Sequence, residues 1–123
     1  MNTLSILIVD DDELILKLLT LGFEKCGFKV STAENGYDAW NLFNNEQTSL
    51  VLTDIYMPGL DGKELSRRIR KVSPSAKIAL MTGGEIDEEI KELLSVGTVD
   101  YFFLKPFNIK NICKTFIADA KIN

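Results

Sequence analysis

The sequence predicts an α/β domain of five βα units, with a parallel sheet covered by helices on both faces. Two observations predict it. Short apolar runs alternate along the whole chain with segments whose apolar residues recur at helical spacing. Four of those runs also end on residues suited to ionic chemistry: Asp10-Asp11 after Leu4 to Val9, Asp54 after Leu50 to Thr53, Thr82 after Ile78 to Met81, and Lys105 after Phe102 to Leu104. Parallel strands joined by right-handed crossovers bring their carboxyl ends to one edge, where ligands of such sheets bind. Four scattered strand ends thereby become one site.

Each element has a local reason. The stretch from Asp12 to Cys26 carries Ile15, Leu18 and Leu19 on one face and stops at Gly27, a helix terminator. Phe28 to Ala33 reads as the second strand. Tyr37, Ala39, Trp40, Leu42 and Phe43 form a short helix, stopped by Asn44-Asn45. The third strand runs into Met57-Pro58-Gly59-Leu60-Asp61-Gly62, dense in turn residues. Leu65 and Ile69 mark the third helix, ended by Ser73-Pro74 because the residue before a proline is pushed out of helical geometry. Ile86, Ile90, Leu93 and Leu94 give a fourth helix after Thr82-Gly83-Gly84. Asn108 caps a last helix carrying Ile109, Ile112, Cys113 and Phe116.

Composition narrows the function. The chain has 123 residues, enough for one core, and residues 1–123 read as one domain without linker, repeat or low-complexity segment. A net charge of -4 argues against a nucleic-acid surface, no apolar stretch is long enough to span a membrane, and no secretory signal is visible. Cys26 and Cys113 lie in apolar helical patterns and read as small core residues of a cytoplasmic protein. The chain contains no histidine, which excludes an imidazole base, a His-based triad, a His-ligated zinc and a phosphohistidine carrier.

Three carboxylates crowded at one edge repel one another unless a cation sits among them. Their all-oxygen chemistry suits Mg2+, with Mn2+ or Ca2+ as substitutes. A carboxylate is also a competent nucleophile toward phosphorus, giving an aspartyl-phosphate. Lys105 is placed to pair with one phosphoryl oxygen and the Thr82 hydroxyl with another, and Gly83 leaves room for the group. Asp12 is read as a helix cap, outside this set.

These residues resemble the receiver domain of two-component response regulators, over essentially the whole chain. The likeness rests on Ile8-Val9-Asp10-Asp11-Asp12, on Asp54-Ile55-Tyr56-Met57-Pro58-Gly59-Leu60-Asp61-Gly62, on Met81-Thr82-Gly83 and on Lys105-Pro106-Phe107. The resemblance implies a flavodoxin-like sheet of strand order 2-1-3-4-5. It implies Asp54 as phosphoacceptor, Asp11 and Asp10 as metal ligands, the backbone carbonyl of Tyr56 completing the protein's share of the shell, and Thr82 and Lys105 as switch hydroxyl and phosphate-binding lysine. A cis Lys105-Pro106 bond is also implied. Phe102 stands at the aromatic switch position, where tyrosine is frequent, but an extra residue in Gly97 to Tyr101 leaves Tyr101 as the alternative.

The expected activity is phosphoryl transfer from the phosphohistidine of a sensor histidine kinase or phosphotransfer protein to Asp54. The outcome is a shift of the fourth-helix, fifth-strand and fifth-helix surface toward a downstream effector protein. The chain would catalyse its own phosphorylation and slow dephosphorylation without turning over an external substrate. No output domain is expected, nor direct contact with nucleic acid or membrane, and the expected state is a monomer or weak dimer. Two rivals fit less well. An aspartyl-phosphate phosphatase would want an acid at Tyr56 and a cap domain. A flavin or nucleotide module would want a glycine- or serine-rich loop where Asp10-Asp11-Asp12 stands. Basic residues of the third helix (Lys63, Arg67, Arg68, Arg70, Lys71) are expected to face solvent. The acidic fourth helix (Glu85, Asp87, Glu88, Glu89, Glu92) is expected to be either solvated or a docking face for a basic partner.

Overall fold

Successive side chains of a strand point to opposite faces of the sheet, and in the three central strands both faces are buried. The computed structural model describes residues 4–105 and 108–122, with side chains described through residue 119. Its elements are β1 (Ser5–Val9), α1 (Glu13–Lys25), β2 (Lys29–Ala33), α2 (Gly36–Glu46), β3 (Leu50–Asp54), α3 (Gly62–Val72), β4 (Lys77–Thr82), α4 (Glu88–Ser95), β5 (Tyr101–Leu104) and α5 (Ile109–Ile122). All strand pairs are parallel, in the order β2-β1-β3-β4-β5.

On one face Leu7, Val9, Val51, Ile78 and Leu80 pack against Ala39 and Phe43 of α2, Leu65 and Ile69 of α3, and Ile90 and Leu93 of α4. On the other, Ile6, Ile8, Leu52 and Met81 meet Leu16, Leu19 and Phe23 of α1 and Ile112, Cys113 and Phe116 of α5. Cys26 and Cys113 are free thiols between α1 and α5, the first partly exposed and the second buried. Burial and a hydrogen bond with Cys26 push the Cys113 thiol up to about 12, so it stays protonated.

Several local expectations need correction. The sheet-facing stripe of α1 is Leu16, Leu19 and Phe23, whereas Leu18 is 53% exposed. Apolar residues surround most of this helix, so spacing alone permits two stripes. Asn44-Asn45 does not stop α2, which continues to Glu46 and ends at Gln47 in a left-handed conformation (φ 48°). Ile86 precedes α4, whose cap is Asp87. Phe28 is buried but precedes β2, its amide donating to the Phe23 carbonyl. The caps at Asp12 and Asn108 form as expected.

The basic helix departs most from its reading. Lys63 is buried, and the Arg70 side chain is only 20% exposed. Its guanidinium donates to the carbonyls of Thr98, Pro74 and Ala76 and to Asp100 Oδ2 at 2.7 Å. The same Asp100 oxygen accepts the Ile78 amide, so one residue ties α3 to the entries of β4 and β5. Arg70→Met should lower the urea-unfolding free energy by about 2–4 kcal/mol, because it strands a part-buried carboxylate and several carbonyls. Arg70→Lys should recover little of that loss, since an ammonium cannot reproduce the planar fork. Unchanged unfolding midpoints would show that water replaces these bonds at no cost.

Candidate functional site

The site forms where β1, β3, β4 and β5 end. Register puts Val9 beside Thr53, Asp54 beside Met81 and Thr82 beside Leu104, so the residues that follow emerge at one level. Asp10 is 1% exposed and Asp11 is exposed just beyond it. Carboxylate oxygens of Asp10, Asp11 and Asp54 all lie within 4.8 Å of one another. The site therefore gathers the acids that the sequence placed at separate strand ends.

Each inner carboxylate is held on one side by backbone. Asp10 Oδ1 accepts the Asp12 amide at 2.9 Å, and Asp54 Oδ1 accepts the Ile55 amide at 2.9 Å. Their other oxygens face the ammonium of Lys105, which donates to Asp10 Oδ2 at 3.1 Å and lies 3.9 Å from Asp54 Oδ2. The lysine is fastened by its own amide, which donates to the Thr82 carbonyl. Burial raises the Asp54 carboxyl above its ordinary value; Lys105 lowers it, Asp10 raises it, the Ile55 amide lowers it and Asp11 raises it.

Thr82 is buried, and its Oγ1 accepts the Gly84 amide at 3.1 Å. A Cβ at Gly83 would meet only Lys105 Cβ, at 4.0 Å, so the fold itself does not require glycine there. Tyr56 is 56% exposed on the loop after Asp54, with Lys63 Nζ 5.7 Å from its ring centre. Phe102 packs on the side of the sheet covered by α4, whereas Tyr101 packs on the α5 side against Phe116. Only Phe102 therefore shares a face with the fourth helix. Pro106 and Phe107 lie outside the described residues, and with them the expected cis Lys105-Pro106 bond.

A model of the response regulator receiver domain matches residues 6–117. The chain belongs to the response regulator receiver family. This receiver is 38% identical over 108 residues to sporulation initiation phosphotransferase F of Bacillus subtilis, covering 87% of this chain and 86% of that protein. It is 34% identical over 122 residues to the uncharacterized transcriptional regulatory protein YesN of the same organism, covering 94% of this chain but 33% of YesN. The receiver thus spans about a third of that relative, and 41% of the probable transcriptional regulator ycf27 of Guillardia theta. Among solved structures, a CheY-like receiver domain protein from Methanospirillum hungatei JF-1 superposes with a TM-score of 0.88 at 28% identity, covering 96% of this chain and 94% of that one. The flavodoxin-like order of the sheet agrees with that likeness.

Sequence reasoning missed two residues beside the site. Gly62, read only as a turn residue, packs so tightly that a Cβ would lie 2.2 Å from the Asp54 carbonyl oxygen. Lys63, read as solvated, bridges α3 to Asp87 and Glu89. The turn-rich segment hinted at the first; nothing local signalled the second. Among the described residues no helix is long and apolar enough to cross a membrane.

Proposed function

We propose that this receiver accepts a phosphoryl group on Asp54, with Mg2+ held by Asp10, Asp11, Asp54 and the backbone carbonyl of Tyr56. The observation that carries the reading is the meeting of three carboxylates and one ammonium at a single sheet edge. Oxygen donors alone, without imidazole or thiolate, fit a hard divalent cation; Mn2+ and Ca2+ are substitutes. When bound, the ion neutralises charge on the carboxylates and on the incoming group.

An Asp54 carboxylate oxygen attacks phosphorus in line, the bond to the donor's imidazole nitrogen breaks, and the imidazole leaves with the electron pair. Lys105 exchanges its contact with Asp10 for a phosphoryl oxygen. The Thr82 hydroxyl turns from the Gly84 amide and donates to another. With no histidine in the chain, loss of the phosphoryl group rests on water alone and is slow. Closure of Thr82 and Lys105 shifts the α4-β5-α5 surface, and Phe102 adjusts with it. The donor is a sensor histidine kinase or phosphotransfer protein, and the readout is a downstream effector protein. Residues 1–123 act as one cytoplasmic receiver, monomeric or weakly dimeric. They neither contact nucleic acid directly nor turn over an external substrate.

Incubation with magnesium and acetyl phosphate should add one phosphoryl group by intact mass. Hydroxylamine should remove it, and chelation of the metal should prevent it. An adduct that forms equally well in excess chelator refutes the reading.

A further inference from the structure

Lys63 occupies an unfavourable position. It is the second residue of α3, where the helix dipole repels a cation, and its side chain is 9% exposed. A nearly buried ammonium is tolerated only where anions meet it. Two do: Lys63 Nζ donates to Asp87 Oδ2 at 3.0 Å and to Glu89 Oε1 at 2.8 Å. Arg67, one turn along the same face of α3, donates to the second oxygen of Glu89 at 2.6 Å. Glu89 is therefore gripped at both oxygens.

These contacts close a loop that begins at the site. Thr82 ends β4, and its hydroxyl oxygen holds the Gly84 amide. Asp87, at the far end of that loop, caps α4 by accepting the Ile90 amide on Oδ1 while giving Oδ2 to Lys63. Lys63 also lies over the ring of Tyr56, two residues beyond Asp54. The segment from Thr82 to Asp87 is thus pinned at one end by the switch hydroxyl and at the other by cations of α3. Any movement of Thr82 that carries α4 along must stretch the second pin.

We propose that Lys63 and Arg67 form an electrostatic clasp that holds the start of α4 against α3 and sets how much of the protein rests in the inactive form. This rests on the phosphoacceptor reading of Asp54 and deepens it by naming what opposes activation. A ligand that binds only the open form gains affinity in proportion to the open fraction. Weakening the clasp therefore tightens binding of a phosphoryl mimic although none of the groups proposed to hold it is replaced.

The probe is beryllofluoride with magnesium, titrated by the intrinsic fluorescence of the full chain. Lys63→Met should lower the apparent dissociation constant about fivefold or more, the lower end of typical two-site coupling. Glu89→Gln, which removes the charge and one of the two acceptor oxygens but leaves Lys63 on Asp87, should give a smaller shift in the same direction. Glu89 is half exposed, so this variant keeps the test open should Lys63→Met fold poorly. Folded variants that bind with the parent's affinity, or more weakly, overturn the clasp alone. A parent that binds no beryllofluoride overturns the phosphoacceptor reading, and the clasp with it.

Discussion

Asp54→Asn should take up no phosphoryl group, and its metal-free form should melt at a higher temperature than the parent at neutral pH. The two results have one cause. Burial is the largest influence on the Asp54 carboxyl, and it favours the protonated form; Lys105 opposes it, while Asp10 and Asp11 add like charge. The folded protein therefore keeps this proton to a higher pH than the unfolded chain, whose carboxyl titrates near 3.8. Stability from the protonated group is fully present below that unfolded value and is lost as pH rises through the raised folded value. Above both, the carboxylate is a burden on the fold.

Asparagine is nearly isosteric with the protonated acid and never carries the charge. Melting curves of parent and variant should coincide in acid and separate as pH rises, the variant on top. Magnesium should reverse the order, because a ligand that binds only the folded state stabilises it, and only the parent retains three carboxylates. A variant that melts below the parent in metal-free neutral buffer would mean that Lys105 outweighs burial at this site.

The second large effect is expected at Gly62. A Cβ there would stand 2.2 Å from the Asp54 carbonyl oxygen and 2.9 Å from Ile55 Cα, and both are backbone atoms that cannot swing aside. The Gly62 amide also donates to the Ile55 carbonyl at 2.8 Å, so the start of α3 is clamped onto the chain that carries Asp54. Gly62→Ala should cost about 3 kcal/mol or more, at or above the upper end for overpacked sites. That is a large part of a typical total of about 5–15 kcal/mol.

The same displacement moves Asp54 relative to Asp10 and Asp11. Phosphorylation by acetyl phosphate should therefore fall even where the variant remains folded, as read by urea titration alongside adduct yield. Gly84→Ala is the control for the unfolding midpoint alone, since its Cβ would meet only Thr82 Oγ1, at an ordinary contact distance of 3.6 Å. An unchanged unfolding midpoint in Gly62→Ala would show that the helix start can retreat freely.

Much of the site was legible because it depends on local periodicity and on a topological rule. Apolar runs of strand length locate β1, β3, β4 and β5, and parallel connection forces their carboxyl ends together whatever the details of packing. Asp10, Asp11, Asp54 and Lys105 meet for that reason. Thr82 is there too, although its hydroxyl is engaged with Gly84 rather than aimed at the acids. Less legible was any feature in which two segments compete for one side chain. Leu18 and Leu16 both sit at helical spacing in α1, and only the presence of the sheet selects Leu16. Lys63 and Arg70 look like ordinary surface cations until Asp87, Glu89 and Asp100 arrive from later in the chain.

Residue type and short-range spacing are enough to give the βα alternation, the edge at which the acids gather and the absence of any imidazole chemistry. Packing supplied the rest: Lys105 rests closer to Asp10 than to Asp54, α3 carries one buried and one part-buried cation, and Gly62 must lack a side chain. Those outcomes turn on long flexible side chains and on backbones meeting at contact distance. For Lys105 and the α3 cations the energies depend on groups far away in sequence, and no local pattern encodes them.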